Sequence, residues 1–213
     1  HFSYNKSQEV LKNISFDLKA GTTTAIVGAT GAGKSTIINL INRFYEINSG
    51  DILIDGINIK EFTLSSLRDQ IGFVSQDVHL FSDTILYNIT LNNRNISFDQ
   101  IKKTSVEIGI HDFIMSLPNG YNYNVRERGI MLSTGQRQLI SFLRAYVTDP
   151  KILILDEATS SIDTDSEILI QKAIEKMIDD RTSLVIAHRL STIRNADNII
   201  VMNLGEIVEQ GNH

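Results

Sequence analysis

Nine residues, Gly28-Ala-Thr-Gly-Ala-Gly-Lys-Ser-Thr36, place three glycines, a lysine and three hydroxyls where a single anion could meet them. The spacing is G-x-x-x-x-G-K-[ST], with a branched apolar run before it and apolar residues at helical intervals after it. That strand-then-helix setting is what a phosphate-binding loop requires. Gly28, Gly31 and Gly33 let the backbone curl so that successive N–H groups, those of Thr30 and Ala32 among them, face one anion, and the following helix adds its positive end. Lys34 supplies a point charge to the outer phosphates, the Ser35 hydroxyl suits Mg2+, and Thr36 closes the loop. A second set lies in "ILILDEATSSID" (152–163), where Asp156 and Glu157 follow a buried run. Asp156 would hold Mg2+ through water, and Glu157 would orient and polarise the attacking water as general base. Gln76 and His188 end two further runs, "IGFVS" and "SLVIAH". Taken singly, a paired acid after a strand is commonly a helix cap, and a loop glutamine or histidine usually does nothing chemical. Together they mean more. Ligands of an open parallel sheet bind beyond the carboxyl ends of its strands, and all four runs put a phosphate- or metal-competent group there. The set predicts a nucleoside triphosphate-hydrolysing site.

The elements that must carry these groups are legible in the same rows. "TTAIVG" (23–28), "IGFVS" (71–75), "KILILD" (151–156) and "SLVIAH" (183–188) are apolar on both faces, the mark of parallel strands buried within an α/β sheet. Ile37, Ile38, Leu40, Ile41 and Phe44 recur at helical spacing after the first. Ile168, Ile170, Ala173, Ile174 and Met177 do so after the third, with Asp163 or Asp165 as cap. "GDILIDGINI" (50–59) reads as a hairpin turning at Asp55-Gly56, and "NIIVMNLGEIVEQG" as another turning at Leu204-Gly205. Residues 77–147 read instead as a helical lobe, with a Ser97…Gln100 capping box, inserted between the core segments 1–76 and 148–213.

Composition narrows the class. The chain has 213 residues, 42% hydrophobic and 21% charged, with a net charge of −5 and no cysteine. That is globular, and it excludes disulfides and thiolate metal sites. The longest apolar runs fall far short of the roughly 20 residues of a membrane-spanning helix. Basic residues are scattered rather than striped, which argues against nucleic acid as a partner. A start at His1 and a stop after "EQGNH" read as a piece of something longer.

The lobe also contains "MLSTGQRQLISFLRAY" (131–146), in which Ser133 and Gln136 form a capping box before an apolar helix. A cap does not require Gly135. A hydroxyl and a glycine at a helix N-terminus also suit an anion, yet the chain already has a phosphate cradle. The second turn makes sense if it reads a nucleotide bound to another copy.

With these residues in order, the chain resembles the nucleotide-binding domain of ATP-binding cassette (ABC) transporters over essentially its full length. Gly28–Thr36 matches the phosphate loop, the segment with Gln76 the glutamine loop, "LSTGQRQ" the signature motif, "ILILDE" the metal and base segment. "SSID", ending in Asp163, matches the aspartate loop and His188 the switch histidine. "FSY" resembles the segment whose aromatic stacks on adenine, here Tyr4. "RERG" (126–129) and "QDVHLFSDTILYNI" (76–89) resemble the exporter branch, where these segments touch the coupling helices of the membrane domain. The resemblance implies an α/β P-loop NTPase fold with a mostly parallel core sheet, an antiparallel β subdomain and an inserted α-helical subdomain. It implies ATP and Mg2+ as cofactors, with Lys34, Glu157 and His188 catalytic. Ser35, Gln76 and Asp156 serve the metal. Two such domains, identical or not, would pair head to tail, with Ser133, Gly135 and Gln136 of one facing the γ-phosphate held by the other. A transmembrane domain on the same polypeptide would place the pair on the cytoplasmic face of the membrane. One position departs: Thr134 stands where the commonest signature has glycine, and its Cβ would crowd that phosphate.

Two other readings make different demands. A soluble cassette ATPase acting on nucleic acid or ribosomes predicts tandem cassettes, a coiled-coil insertion or a basic surface, and the chain has none of them. A regulatory module closed by ATP without hydrolysis has Thr134 as its support, and turnover compared with Glu157→Gln separates it.

Overall fold

The computed structural model describes residues 1–5, 9–156, 164–187 and 189–213. In chain order the elements are β1 (Thr23–Gly28), α1 (Lys34–Ile41), β2 (Leu53–Ile54), β3 (Ile57–Asn58), α2 (Leu64–Asp69) and β4 (Ile71–Val74). Then come α3 (Ile85–Thr90), α4 (Phe98–Glu107), α5 (His111–Ser116), α6 (Thr134–Tyr146) and β5 (Ile152–Asp156). Last are α7 (Thr164–Ile178), β6 (Thr182–Ile186), α8 (Leu190–Asn195), β7 (Asn198–Asn203) and β8 (Glu206–Gly211).

They fall into two compact units. The first comprises His1–Ile71, Lys151–Glu157 and Asp180–His213; the second comprises Gly72–Pro150 and Ala158–Asp179. In the first, the strands run β5-β6-β1-β7-β8. The pairs β5–β6, β6–β1 and β1–β7 are parallel, and β7–β8 is antiparallel. The strands read apolar on both faces because Ala25, Ile26, Leu153, Ile154, Leu184 and Val185 are all buried. Each such aliphatic side chain contributes about 1.5–3 kcal/mol on leaving water, which fixes a central strand more firmly than propensity does. Besides β7–β8, antiparallel pairing is made by the β2–β3 hairpin and by a bridge between Phe2 and Leu11. Asp55 and Gly56 both adopt positive φ at the hairpin turn, as do Leu204 and Gly205 between β7 and β8. These are the paired left-handed residues that match strand twist in two-residue loops.

The second unit is built on α6, which buries Leu139, Ile140, Phe142 and Leu143 and packs against α3, α4 and α7. Ser133 and Gln136 form the full reciprocal capping box, worth about 1 kcal/mol. At α4 only half of the expected box forms. Ser97 accepts from the Gln100 amide at 3.2 Å, but the Gln100 side chain donates to the Val147 carbonyl at 2.6 Å instead of turning back. The long-range bond wins because it satisfies a carbonyl at the end of α6.

Two expected core positions lie outside. Helix α1 ends at Ile41, so Phe44 falls beyond it, 48% exposed, with the Arg68 guanidinium 5.0 Å from its ring centroid. Ile168 is 51% exposed, while Ile170, Ala173, Ile174 and Met177 are buried. The buried stripe of α7 runs through Ser166, Ile170, Ala173, Ile174 and Met177, and Ile168 lies off it. The cap expected of Asp163 or Asp165 lies outside the described residues and side chains.

Candidate active site

The phosphate-binding segment leaves β1 at Gly28 and enters α1 at Lys34. Its glycines are not interchangeable. A Cβ on Gly28, at φ 154°, would overlap the Met202 carbonyl oxygen of the neighbouring strand. Gly33, at φ 101°, is the left-handed N-cap of α1, and a Cβ there would lie 2.6 Å from Leu11 Cδ2. Gly31, at φ 83°, faces open space, so its demand is conformational alone. Ala32 is buried; its amide donates to the Ala29 carbonyl at 3.1 Å and its carbonyl accepts from the Gly205 amide at 3.1 Å. The loop is thus backed by the β7–β8 turn, while Thr30 and Ser35 are exposed.

Lys34 is only 8% exposed, and its ammonium donates to the Gly28 carbonyl at 2.8 Å and the Ala29 carbonyl at 3.0 Å. It folds back across the strand end it follows. An ammonium has three donors, and two of them pin the loop. The first amides of α1 have no acceptors within the helix, so charge and N–H groups come together where the loop opens. Such a loop can hold a polyphosphate.

Asp156 ends β5, 9% exposed. It pairs in register with Ile186 of β6, which pairs with Ile26 of β1. The carboxyl ends of the three strands therefore lie in one row, with Gly28 two residues past Ile26. His188 is two residues past Ile186, but it lies outside the described residues, as do Glu157 and Asp163. For Mg2+ the donors on hand are oxygens, the Ser35 hydroxyl at the start of α1 and the Asp156 carboxylate. A hard cation that takes few protein ligands and completes its shell with phosphate and water fits that set.

Tyr4 is 47% exposed, and its hydroxyl lies 3.2 Å from Thr36 Oγ1, the loop's last side chain. It sits edge-on to Phe2 and Tyr45, with centroids 4.8 and 4.9 Å away. The structure thus brings its hydroxyl to the end of the phosphate loop. Tyr45 escaped the sequence reading because a second exposed tyrosine carries no spacing signal.

In the second unit, Gln76 follows β4 and is exposed. Ser133 is the exposed N-cap of α6, and Gln136 is held in its capping box. Gly135 is buried in the first turn. Thr134 is exposed, and its hydroxyl accepts from Arg137 Nη2 at 3.0 Å. Another network here went unread. Half-buried Arg144 donates through Nε to the Asn88 carbonyl at 2.6 Å, through Nη1 to the His79 carbonyl at 3.1 Å, and through Nη2 to Asn88 Oδ1 at 3.3 Å. Asn88 in turn accepts from the Phe81 amide at 2.7 Å and donates to the carbonyls of Phe81 and Thr84, both at 3.0 Å. Burial pushes the Arg144 pKa down. The signal was available: an arginine inside "LISFLRAYV" must find acceptors.

With the loop and the strand row in place, a sequence profile of the family described as ABC transporter matches residues 11–160. The chain belongs to the ABC transporter family. It is an ATP-binding, ATPase-type domain of that family. It is 52% identical over 212 residues to YknV, an uncharacterised ABC transporter ATP-binding protein of Bacillus subtilis (strain 168), covering all of this chain and 35% of YknV. It is 51% identical over 213 residues to a Staphylococcus aureus (strain NCTC 8325 / PS 47) protein with the provisional name multidrug export ATP-binding/permease protein, of which it covers 37%. A solved bacterial Atm1-family ABC exporter with ATP bound matches the whole chain at 44% identity and a TM-score of 0.90, over 37% of that structure's chain. The chain thus spans about a third of the length of the relatives it matches. Among the described residues no helix is long and apolar enough to cross a membrane.

Proposed function

We propose that this domain hydrolyses Mg-ATP at a site shared between two nucleotide-binding domains, and that closure of the pair drives export by a transmembrane domain on the same polypeptide. The observation that carries the reading is the buried Lys34 ammonium pinned over the mouth of the loop at the carboxyl end of β1. Gly28 through Thr36 hold the phosphates, Lys34 neutralises the outer ones, and Tyr4 carries the adenine. Ser35, Gln76 and Asp156 would hold Mg2+, which would supply charge to offset that of the phosphates. Glu157 takes the proton of the attacking water, and His188 and Asp163 complete the surroundings of the γ-phosphate. Ser133, Gly135 and Gln136 serve the nucleotide of the other copy, so that hydrolysis waits on closure. Positioning and charge are most of phosphoryl-transfer catalysis, and dividing the stabilising groups between copies makes chemistry conditional on assembly. The permease half of the named relative supports a membrane partner and, with it, a place on the cytoplasmic face.

Sedimentation velocity on Glu157→Gln tests the shared site. ATP with Mg2+ should shift it from monomer to dimer, and adding Ser133→Arg should abolish the shift without loss of ATP binding to the monomer. A dimer that survives Ser133→Arg would refute the trans role. Wild-type turnover no faster than that of Glu157→Gln would favour the regulatory reading.

A further inference from the structure

The first unit contains a polar contact that neither phosphate binding nor core packing requires. Asn39 lies one turn beyond Thr36 on α1, and its Nδ2 donates to the Tyr4 hydroxyl oxygen at 3.3 Å. The same hydroxyl lies 3.2 Å from Thr36 Oγ1. The Tyr4 oxygen accepts from Asn39, and in its contact with Thr36 either hydroxyl can donate. Residues three apart share a helix face, so α1 presents two adjacent polar groups to one phenol. Phe2 and Tyr45 meet the ring at interplanar angles of 85° and 86°. The ring is held at its tip by the helix and at its body by two aromatics, yet stays half exposed.

We propose that Asn39 is a positioning residue of the nucleotide site, acting through the Tyr4 hydroxyl to fix the tilt of the base platform against the helix that carries the phosphate loop. It rests on the reading of Tyr4 as the surface that takes the base. Asn39 need not touch the nucleotide. A platform already locked in register with the phosphate helix spares the cost of ordering it when ATP arrives. The platform thus contributes to the grip on a nucleoside triphosphate and nothing to the grip on bare polyphosphate.

The test uses the full-length protein and measures affinity for ATP and for inorganic tripolyphosphate, without Mg2+, in wild type, Tyr4→Ala, Tyr4→Phe, Asn39→Leu and the Tyr4→Phe/Asn39→Leu double variant. Leucine is a good helix former, so α1 should survive. A net hydrogen bond predicts that Tyr4→Phe and Asn39→Leu each weaken ATP about three- to tenfold. KM should rise with kcat at saturating Mg-ATP unchanged for Asn39→Leu, and tripolyphosphate affinity should be unaffected. The double variant should be no worse than the worse single one, since both remove the same link. Additive losses, an unaffected Asn39→Leu, or a parallel loss of tripolyphosphate binding would each overturn the proposal. Unchanged ATP affinity in Tyr4→Ala would instead refute the base platform itself, because stacking on an aromatic is worth about 1–3 kcal/mol per base.

Discussion

Gly28 is chosen by its neighbour as much as by its own freedom. The Met202 carbonyl occupies the space a Cβ would need, and φ is 154°. Gly28→Ala is expected to cost about 2–4 kcal/mol, since backbone cannot move aside as a side-chain tip can. Chemical denaturation checks the loss, and nucleotide binding should go with it. Gly31→Ala, with open space around it, should show only the milder conformational cost. At Thr134 the concern raised by the sequence is answerable. Its hydroxyl accepts from Arg137 Nη2 along α6, which holds the far end of the side chain and leaves only the Cβ to meet a phosphate. Thr134→Gly should therefore change turnover by less than about twofold, a shift below 0.5 kcal/mol, measured as steady-state ATPase of the full-length protein. A tenfold acceleration would mean that the Cβ does crowd the phosphate. The glycines were legible in the spacing; which of them is sterically locked was not, because Met202 and Leu11 approach from distant parts of the chain.

Among the elements, the segment from His79 to Thr84 is fastened to α3 and α6 by Asn88 and Arg144. Arg144→Leu would strip donors from three oxygens, each worth about 1–3 kcal/mol when left unmet. Destabilisation of roughly 3 kcal/mol is expected, with amide exchange in residues 79–91 rising most. A second cluster joins α4, α5 and the turn after them. Tyr121 Oη lies 2.5 Å from Ser105 Oγ and 2.9 Å from His111 Nδ1. Burial pushes the Tyr121 pKa above the ordinary 10.0, against a smaller opposing effect of the Ser105 bond. The unfolded chain therefore ionises first as pH climbs. Stability tied to this phenol is whole below about pH 10 and falls as pH rises toward the folded value. Urea midpoints at pH 9 and 10.5 should diverge in wild type and diverge less in Tyr121→Phe. Local grammar made the hairpins and the Ser133 cap readable, because each depends on two to four adjacent residues. Gln100, Phe44 and Ile168 were misplaced, since tertiary partners decide which way a side chain on an apolar-looking stretch turns.

For the molecule as a whole, the nucleotide groups divide between the two compact units. Gly28–Thr36, Tyr4 and Asp156 are in the first, and Gln76, Ser133 and Gly135 in the second. Hydrogen exchange should record that division. In Glu157→Gln, ATP added to a dilute domain should protect residues 28–41 at any protein concentration. Protection of residues 132–137 should appear only as concentration rises and copies pair. Simultaneous protection in the monomer would contradict the division. The sheet's class and its row of strand ends could be anticipated, because parallel buried strands announce themselves by unbroken apolar runs. The grouping of 158–179 with the helices could not, because that helix reads by its pattern as an ordinary crossover between strands.

The turn that backs the phosphate loop sets an order of events during synthesis. Gly205 donates to Ala32, Met202 stands against Gly28, and Lys12 donates to the Gly205 carbonyl at 2.8 Å. A ribosome delivers residues 28–36 long before residues 202–205. Until that hairpin leaves the exit tunnel, the loop lacks the wall behind it, however complete its own sequence. A growing chain of this family member therefore carries its nucleotide motif without that wall until residues 202–205 have followed it, and becomes able to grip ATP only then.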